Sequence, residues 1–279
     1  MKLHGYNFIT PVVGMLMMLS FAVAIADPTP NSAVIKTRIF NDCPFSTIVT
    51  ANTYPANIQI TDTVNPEGCT GFANLHNWRF SADGGATPIQ FHNNHAFTVS
   101  AELTISGPGH AEAGLQVSPW FSPDIDGRFN VRTTDGEIAV FGGVLPFYSF
   151  TSAQFVTYTK GTPIRLEVAY DPRSNTEADP AVIVYGLTYN ATTYTSGPLA
   201  MTGCNMAEEP IYGCYGILNQ AQVGGHLQVL WQASPNQAIG ASTLVASSST
   251  ADWTNITYSP DGPTPAKPTS WGRVKMLYR

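Results

Sequence analysis

Basic residues are scarce in this sequence. Lys and Arg number 13 against 19 Asp and Glu, so the formal net charge is −6. Nucleic acids and anionic membrane surfaces attract proteins that carry clusters of Lys and Arg. The acidic balance therefore argues against nucleic acid and against an anionic membrane surface as partners.

Long apolar runs are also lacking after the first residues. The uncharged run Pro11–Ile25 is shorter than the ~20 residues that a membrane-spanning helix needs. Lys2 precedes it, and Ala24-Ile25-Ala26 has the small-x-small pattern that signal peptidase accepts. These features predict a cleavable signal peptide over residues 1–26. The mature protein would be secreted, periplasmic or at the cell surface, with no membrane span after cleavage.

Cysteines are few and even in number: Cys43, Cys69, Cys204 and Cys214. In an exported chain, an even number favours disulfides over metal binding. None of them has the CxxC or Cys/His spacing of a zinc site. Three pairings are open, and we expect Cys43–Cys69 and Cys204–Cys214 because each would close one loop.

Helical periodicity is nearly absent, and alternation with a period of two dominates. Between Phe97 and Ile105, apolar residues alternate with Thr, Ser and Glu. Asp135-Gly136 and Asn190-Ala191 stand where tight hairpin turns are expected. Strands separated by Gly and Pro, with no helical pattern between them, predict an all-β antiparallel sandwich over residues 27–259. Residues 27–89 would form a cap or edge strands of it.

The C-terminal end differs in composition. Residues 260–268 are Pro-rich, which predicts an extended linker. Residues 269–279 form a short basic tail that ends in "SWGRVKMLYR". This tail is similar to the short Trp-Gly-x-x-Lys-x-x-Tyr-Arg ends of some bacterial exported proteins. The likeness implies a tag for a secretion or surface apparatus, and a frayed terminus without a role is the alternative.

The order of the strands resembles one known superfamily. A long strand "EAGLQVSPW" precedes the hairpin "DGRFNVRTTDGEIAVFGG", and "GTPIRLEVAYDP" and "GGHLQVLW" follow. This order resembles the concanavalin A-like lectin/glucanase superfamily. The resemblance implies a jelly roll of two large curved sheets whose concave outer face holds ligands. The Glu-x-Asp-x-x-Glu signature of its glycosidases is absent from the sequence, as are the Arg-x-Glu-Leu-Arg and Gln-Ile-His strands of alginate lyases.

Strand parity predicts which side chains point away from the core. The inward set is Phe129, Val131, Ile164, Leu166, Val168, Leu227 and Val229. The outward set is Arg128, Asn130, Arg132, Arg165, Glu167, His226 and Gln228. If these strands adjoin in one sheet, the outward set forms a single face of basic and amide groups. We predict that this face, with Trp120 at its rim, binds an acidic or hydroxyl-rich glycan.

Aromatic residues are the second indication of sugar binding. The rings near the Asp135-Gly136 hairpin are Trp120, Phe121, Phe147, Tyr148 and Phe150, and Trp78 stands beside Arg79. Exposed rings stack on pyranose faces, whereas buried rings only pack the core. The sequence leaves both interpretations open.

Two short motifs offer metal ligands. Asp124 and Asp126 in "DIDG" are candidate ligands for Ca²⁺, although a turn-forming pair explains them as well. His92 and His95 in "HNNH" favour a solvated turn. No cofactor other than Ca²⁺ is indicated.

The leading hypothesis is an exported, non-catalytic carbohydrate-binding (lectin-like) or adhesion module whose partner is a glycan or polysaccharide. One alternative is a carbohydrate-active enzyme, a glycoside hydrolase or polysaccharide lyase, with Glu167 or His226 as acid or base. Another is a structural cell-envelope protein docked by its C-terminal tail.

Overall fold

The computed structural model describes residues 27–122, 125–202, 214–230 and 247–262, without the side chains of residues 118–126. The predicted signal peptide and most of the predicted linker and tail therefore lie outside the described residues. So do Cys204 and Asp124, together with the side chains of Trp120 and Asp126. Among the described residues, no helix has the length and apolarity to cross a membrane.

The described residues form two antiparallel sheets of seven strands each. Sheet A has the order β1 (Ser32–Asn41), β4 (Ala73–Ser81), β13 (Gln222–Leu230), β6 (His110–Ser122), β7 (Ile125–Arg132), β8 (Ile138–Phe141) and β9 (Tyr148–Ser149). Sheet B has the order β12 (Thr192–Ala200), β11 (Val182–Tyr189), β10 (Ile164–Asp171), β5 (Phe97–Ser106), β14 (Ser247–Ser259), β3 (Asn57–Val64) and β2 (Thr47–Thr53). One short helix, α1 (Phe150–Gln154), follows β9 and is capped by the Ser149 hydroxyl. The predicted all-β antiparallel sandwich is confirmed.

The core lies between the two sheets, where the alternating apolar residues meet. The inward set predicted from strand parity is buried throughout. Trp78 of sheet A and Trp253 of sheet B meet edge to face, with 6.1 Å between ring centroids. Burial of each large apolar side chain contributes ~1.5–3 kcal/mol, so this layer holds the two sheets together.

Both predicted hairpin turns are present. Strands β7 and β8 pair from Arg128↔Phe141 to Val131↔Ile138, and Gly136 in the turn has a φ of 77°. Glycine reaches such positive φ values without the steric cost of a side chain. Strands β11 and β12 turn at Asn190 and Ala191, both with positive φ.

A buried polar cluster links the sheets at one end of the core. Asp62 of sheet B accepts hydrogen bonds at its Oδ2 from Asn74 Nδ2 (2.8 Å) and His76 Nε2 (2.9 Å). His76 Nδ1 in turn accepts from the backbone N–H of Arg38 at 3.0 Å. Both ring nitrogens of a neutral imidazole are therefore used, one as donor and one as acceptor. This arrangement positions strands rather than a reacting group.

The same end of the core contains the loop closed by the Cys43–Cys69 disulfide. Asn74 Oδ1 accepts from the Cys43 backbone N–H at 2.9 Å, so the loop is tied to the buried cluster. This predicted pairing is confirmed. Cys214 is also in a disulfide, while its predicted partner Cys204 lies outside the described residues.

Candidate functional site

The outer face of sheet A carries most of the outward set predicted from the sequence. Residues directly opposite each other on paired strands share a face. Two cross-strand rows run over β4, β13, β6 and β7: row one is Arg79, Gly224, Gln116 and Arg128, and row two is Asn77, His226, Gly114 and Asn130. A third row is Leu75, Gln228, Glu112 and Arg132. We call these three rows the sheet A face.

Two glycines let side chains on the sheet A face reach past a neighbouring strand. A Cβ atom on Gly114 would overlap the carbonyl oxygen of Phe129, and one on Gly224 would overlap that of Trp78. With no side chain at these points, strands two apart, ~10 Å in the sheet, can be bridged. His226 reaches across Gly114, and Arg79 reaches across Gly224.

Three hydrogen bonds organise the long side chains. Arg79 Nη1 donates to Gln116 Oε1 at 2.8 Å. Arg128 Nη1 donates to Gln228 Oε1 at 2.8 Å. The Nε2 of His226 lies 3.0 Å from Asn130 Oδ1. Because an amide oxygen only accepts, His226 donates from Nε2, and in the neutral ring the lone pair is on Nδ1.

Charge is distributed unevenly over the sheet A face. Arg132 pairs with Asp135 (2.5 Å), Glu137 (2.7 Å) and Glu112 (3.8 Å), so acidic groups outnumber the arginine at the end of row three. None of the residues in rows one and two is acidic, and these rows contain two arginines. Two guanidinium groups therefore lie next to the amide groups of these rows.

The same environment shifts two pKa values. Burial, and then the charges of Arg128 and Arg79, hold the pKa of His226 well below its usual range, so the ring is neutral. Burial also raises the pKa of Glu112, although Arg128 and Arg132 oppose that shift. Perturbed groups gathered on one face are typical of functional sites.

Burial divides the sheet A face into a supporting part and a contact part. Asn77, Arg79 and His226 are fully buried. Arg128 retains 8% exposure, and Gln228 is half-buried. The buried groups are placed to orient those nearer to solvent.

Beside Arg128 in the register stands an aromatic ring. Phe141 of β8 is directly opposite Arg128 of β7 and is half-buried. An apolar ring next to a guanidinium and an amide is the combination that sugar sites use. Sequence reasoning did not select Phe141, although the alternation of the β7–β8 hairpin places it on the outward face.

Two residues of the outward set lie elsewhere. Arg165 and Glu167 belong to β10, which is in sheet B, so they point away from the opposite side of the sandwich. The condition that all these strands adjoin in one sheet is therefore not met. Parity distinguishes inside from outside but not one sheet from the other. Glu167 and His226 therefore cannot act in one site.

Arg165 has a local role in sheet B. Its Nη2 donates to the Ser100 hydroxyl of the neighbouring strand at 2.5 Å. Glu167 is exposed on the same strand.

The predicted aromatic platform is only partly on the surface. Trp78 and Phe150 are fully buried in the core, and their rings pack edge to face against Phe80 and Tyr148 respectively. Phe147 is 70% exposed. The side chains of Trp120 and Phe121 lie outside the described residues.

The metal motifs have different outcomes. Asp124 and the side chain of Asp126 lie outside the described residues, and the part of the chain that is described contains no cluster of three or more metal-ligating side chains. His92 and His95 are neighbours, with 5.3 Å between ring centroids. Asp27 Oδ1 accepts from the His92 backbone N–H (3.1 Å) and lies 3.0 Å from His95 Nδ1. The His92 backbone and the His95 ring thus hold the side chain of Asp27, the first residue of the predicted mature chain, in position.

Four polar members of the sheet A face were missed by sequence reasoning: Asn77, Arg79, Glu112 and Gln116. Gln116 alternates with Leu115 and Val117, so its parity was available. Asn77 and Arg79 were harder, because β4 is buried on both sides and has polar residues on both. Only the tertiary structure separates its two faces.

Comparisons with known proteins give structural likeness alone. No family model matches the chain, and the search of curated proteins gave no match. Similar structures include a family 7 alginate lyase in complex with substrate, at 8% identity over 75% of this chain and 79% of that chain, with a TM-score of 0.39. Lectin II from Ulex europaeus is similar at 10% identity over 83% of this chain and 95% of the lectin, with a TM-score of 0.39. Another alginate lyase covers 84% of this chain and 97% of its own, at 11% identity and a TM-score of 0.38. At these identities and TM-scores the matches show likeness alone, and the concanavalin A-like resemblance remains a prediction from the order of the strands.

Proposed function

We propose that the protein is a carbohydrate-binding module whose sheet A face binds a carboxylated polysaccharide without cleaving it. The observation that supports this function is the Arg128 guanidinium. Gln228 orients it at 2.8 Å, and Phe141 lies opposite it in the register. A guanidinium matches a carboxylate in geometry and charge, and a ring offers a surface on which a sugar stacks.

The chemistry of rows one and two favours binding over hydrolysis. Hydrolysis of a glycoside uses two carboxyl groups that flank the bond, ~5–9.5 Å apart. Rows one and two contain none, and Glu112 in row three lies beside Arg132 and Arg128. The amides and guanidinium groups of these rows bind hydroxyls and carboxylates but do not transfer protons at neutral pH, and the His226 imidazole is fully buried.

The test compares one polymer in two charge states. Polygalacturonate and its methyl ester share a backbone, and only the first offers free carboxylates. Charged hydrogen bonds contribute ~1.5–3 kcal/mol, so we expect the ester to bind ~10–100-fold more weakly by titration calorimetry. Alginate and hyaluronate extend the panel to other uronates. Equal affinity for the ester, or no binding to any polyuronate, would contradict the proposal.

Matched arginine variants locate the site. Arg128→Ala should lower the affinity for the preferred polyuronate ~10-fold or more, because it removes the oriented guanidinium. Arg165→Ala removes an arginine from the opposite side of the sandwich and should leave the affinity unchanged. If both variants bind equally, the ligand does not lie on the sheet A face. Repeating the titration with Ca²⁺ and with a chelator tests whether Asp124 and Asp126 hold calcium.

A second candidate function is supported by His226. A neutral imidazole near two arginines suits a polysaccharide lyase, in which cations neutralise the uronate carboxylate and a base removes the proton on the adjacent carbon. That C–H bond and the bond to the leaving glycosidic oxygen break, a C=C bond forms, and the leaving oxygen takes a proton. Incubation with polyuronates should then give unsaturated products that absorb in the ultraviolet, and His226→Gln should abolish them.

Export of the protein is part of the proposal. A disulfide and a fastened Asp27 support a mature chain that starts at Asp27 outside the cytoplasm. Mass spectrometry of the protein from the native host should give the mass of residues 27–279. A structural role in the cell envelope, with docking by the tail, predicts instead that Trp271→Ala changes location and leaves glycan affinity unchanged.

A further inference from the structure

A groove crosses the outer face of sheet B, on the opposite side of the sandwich from the sheet A face. Its cavity has a volume of about 720 Å³ and runs over β10, β11 and β12 to the end of β14. The lining includes apolar side chains, among them Val182, Val184 and Pro198. Such a lining differs from the Ser- and Thr-rich remainder of this outer face.

Carboxylates dominate the charge of the groove. Glu167, Asp171 and Asp261 line it, and among the described lining residues only Arg173 is basic. Arg173 already has a carboxylate partner outside the lining, because its Nη1 lies 3.8 Å from Asp179 Oδ1. The groove therefore has a surplus of negative charge.

The described chain ends inside this groove. Asp261 and Gly262 both line it. The Thr98 hydroxyl donates to the Asp261 carbonyl at 2.8 Å, and a Cβ on Gly262 would lie 2.9 Å from the Tyr170 carbonyl oxygen. Residue 263 thus starts from a backbone that is held against β10 and β5.

The residues that follow have the opposite charge. Residues 263–279, which we call the C-terminal segment, contain no Asp or Glu. Their basic residues are Lys267, Arg273, Lys275 and Arg279, and Trp271, Val274 and Leu277 are apolar. Cationic and apolar groups on one segment complement carboxylates and an apolar lining in one groove.

We infer that the C-terminal segment docks back into the groove of sheet B, with its lysines against Glu167 and Asp171. Lys267 follows Gly262 by five residues, and an extended chain covers ~3.3 Å per residue, so the span is sufficient. A tethered segment has an effective concentration in the ~mM range, so weak contacts are enough to hold it. Residues that were interpreted as a tag for an external apparatus thereby gain a binding site on their own protein.

Zero-length carbodiimide cross-linking of the full mature chain tests this contact. The reagent joins a lysine to a carboxylate only when the two groups touch, and mass spectrometry identifies the pair. We expect Lys267 or Lys275 to be joined to Glu167 and Asp171. The matched control is Glu177, an exposed acid in the loop after β10 that does not line the groove. At ~1 M salt, where the Debye length is ~3 Å, the yield should fall about fivefold or more.

Mixed isotopes identify the occupant. Chains labelled with natural nitrogen and with heavy nitrogen are mixed and then cross-linked. If the contact lies within one chain, both peptides of every cross-linked pair carry the same isotope. Mixed pairs would mean that a second copy of the chain fills the groove, which would overturn the inference. The inference would also be overturned if Glu177 were cross-linked as often as Glu167, or if no carboxylate of the groove were cross-linked.

A double variant supplies an independent measurement. Glu167→Gln with Asp171→Asn removes two groove charges and should speed tryptic cleavage after Arg273 about threefold or more, because an undocked segment is accessible to protease. The Glu177→Gln variant should be cleaved at the unchanged rate. Glycan affinity on the sheet A face should be the same in all these variants, so a failure here is distinguishable from a failure of the proposed function.

Discussion

The outer faces of sheets A and B follow the same alternation but use different polar groups. Sheet A presents Arg, Asn, Gln and His, which reach over Gly114 and Gly224 to strands two positions away. Away from its acidic groove, sheet B presents many short hydroxyls, some of which bond the directly opposite residue, as in Thr61–Thr250 (2.8 Å) and Thr188–Thr193 (3.1 Å). Long side chains over glycine build a connected site, whereas short hydroxyls stabilise neighbouring pairs only.

Glycine substitution should distinguish the two faces most strongly. Gly114→Ala would place a methyl group on the Phe129 carbonyl oxygen, so we expect a loss of about 3 kcal/mol or more in the free energy of unfolding. Gly186→Ala, on the outer face of sheet B, meets nothing closer than 3.6 Å and should change stability by less than about 1 kcal/mol. Urea unfolding measures both. Similar losses in the two variants would remove the contrast between the faces.

The pH dependence of stability provides the second test. Burial lowers the pKa of His226 in the folded state, so below ~6.5 the unfolded chain binds a proton that the folded chain does not. Stability should therefore decrease as the pH falls, by up to ~1.4 kcal/mol per pH unit for this one group. We expect the decrease between pH ~6.5 and ~5 to be smaller in His226→Gln than in the unmodified protein. His110→Gln, which changes an exposed histidine, should keep the original decrease, and an unchanged decrease in His226→Gln would contradict the pKa assignment.

A hydroxyl pair of sheet B should have the smallest effect. Thr250→Val removes one partner of the Thr61–Thr250 hydrogen bond in a half-buried position. Such a bond contributes ~0.5–1.5 kcal/mol, and solvent can satisfy part of the loss. Replacing both threonines with Val should cost no more than replacing one. A loss above about 2 kcal/mol in chemical unfolding would show that these pairs do more than join neighbouring strands.

The sequence predicted those site residues that belong to strands with one apolar and one polar side. Arg128, Asn130 and Arg132 alternate with Phe129 and Val131, and all three are on the sheet A face. Arg165 and Glu167 have an equally clear alternation, yet they lie on the other sheet. In both strands the alternation correctly predicted which side chains point outward, but it did not predict which strands are neighbours in a sheet.

What the sequence by itself determined is local. Alternation specifies which side of a strand meets the core, and Asp135-Gly136 specifies a tight turn, because both depend on residues within a few positions of each other. Tertiary structure alone decided that β13 lies between β4 and β6, which brings His226 to Asn130 over a separation of 96 residues. It also decided that β10 joins sheet B and that two glycines stand where long side chains must cross. Packing over the whole chain determines which strands are neighbours, and the alternation of apolar and polar residues along one strand does not specify them.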